Sequence, residues 1–115
     1  MTQLAADVLR FWFGEGSDYG QSHKRWFEKD PAFDAEIRDR FLSLFVDFAS
    51  GGGHKWLDRP KDSLARIVVL DQFPRNMFRG TPRAFATDGL ALAAARHAIE
   101  SGYDRGWLRV ERIFA

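Results

Sequence analysis

Asp71, Gln72, Arg75, Asn76 and Arg79 all fall within one stretch, LDQFPRNMFRG. They are the residues of this chain whose types and spacing suit a site. Leu64, Ile67, Val68 and Asp71 occupy i, i+3, i+4 and i+7 of a helix, so Asp71 shares a stripe with three aliphatic side chains. A carboxylate buried there without a partner costs several kcal/mol. The helix C-terminus adds a repulsion of about 0.3–1 kcal/mol. Arg75 and Arg79 follow just past Pro74, and a guanidinium can grip a carboxylate through two parallel hydrogen bonds. Gln72 and Asn76 are placed to satisfy the backbone of the turn. Three readings follow. The ions form a buried brace, or one arginine is left free and joins Asn76 in an anion or carboxylate pocket, or Asp71 works as an acid or base on a small anionic substrate.

Other chemistry is poorly represented. The chain has no cysteine, which excludes disulfides, cysteine-based zinc sites and thiol catalysis. His23, His54 and His97 are far apart and lack ligand spacing, so no metal is expected. No Ser/His/Asp arrangement, phosphate loop or dinucleotide fingerprint is present, and nothing points to a cofactor. HKRWFEKD interleaves Lys24, Arg25 and Lys29 with Trp26 and Phe27, a pattern that can stack nucleic acid. The plainer reading is that Trp26 and Phe27 anchor a loop while the charges face water. A formal net charge of +1 argues against nucleic acid or an anionic membrane as partner.

The elements that must position the motif are helical. Leu4, Val8, Leu9 and Trp12 form one stripe over residues 3–13. The spacing from Pro31 up to the triple glycine predicts a long helix, with Asp30 as cap, Pro31 at its first position and a buried face of Phe33, Ile37, Phe41, Leu44, Phe45 and Phe48. Asp34 with Arg38 and Glu36 with Arg40 are expected as i, i+4 pairs on the outer face. Gly51 to Gly53 end this helix in a flexible connection. A third helix is expected over 60–73 and closed by Pro74, although its β-branched Ile67, Val68 and Val69 also permit a strand; RNMFRGTPR then forms a turn or one short helical turn. The last long helix covers 87–101, capped by Thr87 or Asp88. Its Gly89, Ala91, Ala93, Ala94, Ala95 and Ala98 allow close approach of a neighbour. RVERIFA begins another helical pattern.

No period-2 strand pattern appears. The expected architecture is one all-α domain over 1–115, antiparallel helical hairpins stacked as an α-α superhelix. With 45% hydrophobic residues and neither a membrane span nor a cleavable leader, a cytoplasmic protein is expected.

VLRFWFG, RWFEKDPAFDAEIRDRF, VVLDQFPRNMFRGTPRAFATDGLAL and AIESGYD resemble the bacterial domain-of-unknown-function family number 924 over nearly the whole chain. The resemblance implies a tetratricopeptide-like helical fold and brings no established activity, substrate or cofactor. The family's hallmark falls on Asp71, Gln72, Phe73, Pro74, Arg75 and Asn76, with Arg79 after them. Members usually continue further, with a His-Ser-Glu motif on a later helix. A shortened stack would expose apolar surface, and a homodimer would cover it. The first expectation is therefore a binding module for a protein or small anion, acting near Arg75, Asn76 and Arg79.

Overall fold

A computed structural model describes residues 5–14, 16, 19, 21, 23, 26, 30–108 and 111, with His54 by its backbone alone. Among the described residues, five α-helices carry the fold: α1 (Ala5–Phe13), α2 (Pro31–Ala49), α3 (Pro60–Ile67), α4 (Phe73–Met77) and α5 (Asp88–Glu100). Short 3₁₀ turns at His54–Leu57, Pro82–Phe85 and Tyr103–Gly106 connect or follow them. No strand occurs among the described residues.

The local signals act where they stand in the chain. Asp30 is extended, and its carboxylate accepts from the N–H groups of Ala32 and Phe33 at 3.1 and 3.2 Å. These are two of the donors a helix start leaves orphaned. Phe33, Ile37, Phe41, Phe45 and Phe48 are buried on α2, and Leu44 packs at the edge of the core. Glu36 and Arg40 meet at 3.5 Å on the exposed face. The triple glycine has a steric role rather than a merely flexible one. Gly53 has φ +85°, and a Cβ there would lie 2.7 Å from the Phe48 ring.

The helices lie in two layers. α3 packs between α1 and α5, and α2 packs on α4 and on the turn that leads into it. The core between them is dominated by rings. Phe41 stacks on Phe73 at 4.8 Å, and Trp12 meets Phe73 edge-on at 5.9 Å. Trp26 stacks on Trp12 at 6.1 Å and donates its indole N–H to the Trp12 carbonyl at 2.8 Å. Trp26 is thus a loop anchor. Phe27, Lys24, Arg25 and Lys29, read with it in the sequence, lie outside the described residues. So does Leu4, expected on the α1 stripe.

The helix expected to stop at Pro74 does not stop there. Val68–Gln72 forms a π turn, in which the Phe73 N–H reaches the Val68 carbonyl, and α4 continues to Met77. The widened turn accommodates a proline ring that would clash with the carbonyl four residues back. That carbonyl belongs to Leu70, and proline has no N–H to give it. The Thr87 hydroxyl donates to it instead at 2.7 Å, in a buried position. Thr87 therefore does not cap α5 with its side chain. Thr87→Val keeps the shape and strands the Leu70 carbonyl. It is expected to cost about 1–3 kcal/mol in urea denaturation. An unchanged midpoint would mean that water reaches that carbonyl.

Candidate functional site

The five motif residues do not form one cluster. The π turn and the short α4 divide them between two sides of the chain. On the first side, Arg75 Nη1 donates to Asp71 Oδ1 at 2.8 Å, and Gln72 Nε2 donates to Asp71 Oδ2. Arg75 Nη2 reaches Asp88 Oδ1 at 3.5 Å, a long contact. Its guanidinium also lies 5.5 Å from the centroid of the Phe85 ring. Asp71, expected to be buried, is only half-buried, with 22% of its side chain exposed.

The second side centres on a residue that sequence reasoning assigned to the solvent face. Arg79 does not reach Asp71. Its Nε and Nη2 donate to the two oxygens of Asp34 at 2.8 and 3.2 Å. Asn76 Nδ2 donates to Asp34 Oδ1 at 2.8 Å. The expected Asp34–Arg38 helix pair gives way to this grip, and Arg38 turns to the Met77 carbonyl. Asn76, buried, likewise serves Asp34 rather than the turn's backbone groups. Burial alone would raise the Asp34 carboxyl. The hydrogen bonds from Arg79 and Asn76, with the charges of Arg79 and Arg38, outweigh that and hold it below the usual carboxylate range. A signal for this was present. Asp34, Phe41 and Phe45 stand at i, i+7 and i+11, so Asp34 borders the buried stripe of α2.

Each side opens on a hollow. One, of about 310 Å³, lies between the π turn and α5 and is lined by Asp71, Arg75, Asp88, Ala91, Leu92 and Ala95, with Ile67 behind them. The other, of about 380 Å³, lies between α2 and α4 beside Asp34, Arg38, Asn76 and Arg79.

α5 faces inward with its small residues. Ala91, Ala94, Ala95 and Ala98 are buried against the core, as close helix packing requires. Its large apolar side chains point outward instead. Leu92 and Ile99 are each 54% exposed, and Phe85, just before the helix, is 58% exposed.

A third ionic cluster escaped the sequence reading. Glu111 is fully buried. Its Oε2 accepts from the Tyr19 hydroxyl and the Lys61 ammonium, and its Oε1 accepts the Leu108 N–H at 2.7 Å. Burial, then the hydrogen bond and charge of Glu111, push the Tyr19 phenol up. These residues come from three distant parts of the chain, so no local spacing could have revealed the cluster. His23 and His97 serve as anchors. Nε2 of His23 donates to the Phe13 carbonyl at 2.8 Å, and Nε2 of His97 to the Leu57 carbonyl at 2.9 Å. Among the described residues, no three His, Asp or Glu side chains are grouped to hold a metal, and no helix is long and apolar enough to cross a membrane.

The fold and the split motif define a class, an all-α domain organised around a proline-interrupted helix with ion pairs on two faces. Residues 8–115 match the family described as "Bacterial protein of unknown function (DUF924)", and the chain belongs to that family. It is similar to a solved protein of unknown function from Agrobacterium tumefaciens, with 42% identity and a TM-score of 0.84. That match covers 96% of this chain and 59% of the other, so the chain spans about three-fifths of that relative's length. No curated protein matches it.

Proposed function

We propose that the domain is an interaction module that binds a partner polypeptide on the face formed by α5 and the Pro82–Phe85 turn. The observation that carries this is the orientation of α5. A helix with alanines on its core side and Leu92 and Ile99 exposed, beside an exposed Phe85, presents apolar surface that the described residues leave uncovered. Asp71, Gln72 and Arg75 would form the polar end of that surface, where the π turn meets the hollow. π turns recur at functional sites.

Asn76 and Arg79 belong to the brace reading. Their donors are directed at Asp34, which ties α2 to the end of α4. The enzyme alternative needs a guanidinium free for a small anionic substrate. Arg75 and Arg79 each direct donors at a carboxylate that offsets their charge, which supports the binding reading over the enzyme alternative. The packing of α3 between α1 and α5, and of α2 on α4, supports a tetratricopeptide-like stack, a family of architectures that presents extended faces to partners.

Peptides selected from a random displayed library against the chain test the reading. Their affinities are expected to fall about tenfold or more with Leu92→Asp, as for a central apolar contact. Asp39→Ala, exposed on α2, should leave them unchanged. Selected peptides that bind the Leu92→Asp chain undiminished would overturn the assignment of this face.

A further inference from the structure

We propose that the hollow between the π turn and α5 receives a basic side chain, lysine or arginine, from the partner. This deepens the interaction reading above and rests on it. The hollow is lined by two carboxylates, Asp71 and Asp88, against one guanidinium, Arg75, so its ionised lining carries one excess negative charge. Both Asp71 oxygens are occupied, by Arg75 and Gln72. Asp88 differs. It meets Arg75 through Oδ1 alone, at 3.5 Å, and 45% of its side chain is exposed. Its Oδ2 has no hydrogen-bond partner among the described residues and is free to accept one.

Each terminal nitrogen of Arg75 already meets a carboxylate, so its charge is answered within the hollow and an incoming anion would have to sit beside Asp71 and Asp88. An incoming ammonium or guanidinium breaks nothing and completes Asp88.

The rest of the lining suits the remainder of such a side chain. Ala91, Leu92 and Ala95 form an apolar wall along which a chain of methylenes can lie while its charged end reaches the acids. Asp88, Leu92, Ala95 and Ile99 stand at i, i+4, i+7 and i+11, so the acid and the exposed aliphatics form one continuous flank of α5. The partner segment is therefore one that carries a basic residue next to an apolar residue, the first entering the hollow and the second lying on Leu92 and Ile99.

The probes are capped dipeptide amides, leucyl-lysine, leucyl-norleucine and leucyl-glutamate, titrated at millimolar concentration into the isotope-labelled chain and followed by NMR. The lysine peptide is expected to shift the amides of Asp88, Leu92 and Ala95. Its affinity should exceed that of the norleucine peptide by about two- to fivefold, the scale of a partly exposed ion pair. That advantage should vanish in Asp88→Asn and shrink with added salt. Equal binding of the lysine and norleucine peptides, abolished by Leu92→Asp, would overturn the basic-group proposal and leave the interaction face standing. No shift on this face with any peptide would overturn the proposal. The fate of the broader reading then rests on the library-selected peptides. A concentration-dependent dimer in sedimentation, dissolved by Leu92→Asp, would make a second copy the occupant and overturn the proposal as well.

Discussion

Phe73→Ala is expected to destabilise the domain by about 3–5 kcal/mol, the range for removing a fully buried aromatic side chain. Phe73 is the hydrophobic member of the motif and has no exposed surface. Its ring stacks on Phe41 of α2 at 4.8 Å and meets Trp12 and Phe11 of α1 edge-on at 5.9 and 6.3 Å. It also closes the π turn with its own N–H. The side chain joins both layers at the point where the chain changes helical pitch. Removing it leaves a cavity bordered by three rings, which stiff aromatic neighbours fill poorly. Urea denaturation followed by tryptophan fluorescence measures the loss. Phe73→Leu retains much of the apolar volume and should lose clearly less. If the two variants were equally and only slightly destabilised, the ring packing would not be what joins the layers.

Asp34→Ala is the second large effect, at about 2–3 kcal/mol near neutral pH. The cost falls mainly on Asn76, whose buried amide loses its acceptor. Arg79, with 38% of its side chain exposed, can turn to water, and its share is discounted accordingly. The effect carries a pH signature. In the folded chain the Asp34 carboxyl is held below its ordinary range by Arg79 and Asn76, against the opposing effect of burial. A depressed carboxyl contributes stability above its unfolded pKa of about 3.9, and that contribution is lost as pH falls through the folded value. The gap between the native chain and Asp34→Ala should therefore be full at pH 7 and narrow progressively below about pH 4. Denaturation midpoints of both chains across that range give the answer. A gap that stays constant down to acid unfolding would show that the Asp34 charge plays no part in holding α4.

The two effects divide the motif by role. Phe73 and Pro74 shape the chain, Asn76 and Arg79 tie its end to α2, and Asp71 and Arg75 face the hollow beside α5. One short stretch serves both layers because the π turn and the helix end send its side chains in different directions.

Much of the fold was legible along the chain. The Asp30 cap, Pro31 at the first helical position, the aromatic stripe of α2 and the small face of α5 depend on residues within a few positions of one another. Helix periodicity and capping are local physics, so a linear reading reaches them, and the all-α class follows. The Asp71–Arg75 pair was legible from nearness in the chain across Pro74, and the continued helix sets it at i, i+4. The choice of partner for Arg79 was not. Asp34 lies 45 positions away, and only the packing of α2 on α4 brings it closer than Asp71. The acceptor for Thr87, the burial of Glu111 with Tyr19 and Lys61, and the outward turn of Leu92 and Ile99 were decided in the same way. An ion or hydroxyl takes whichever partner the assembled layers bring within hydrogen-bond reach. Sequence sets the candidates, and the meeting of helices distant in the chain selects among them.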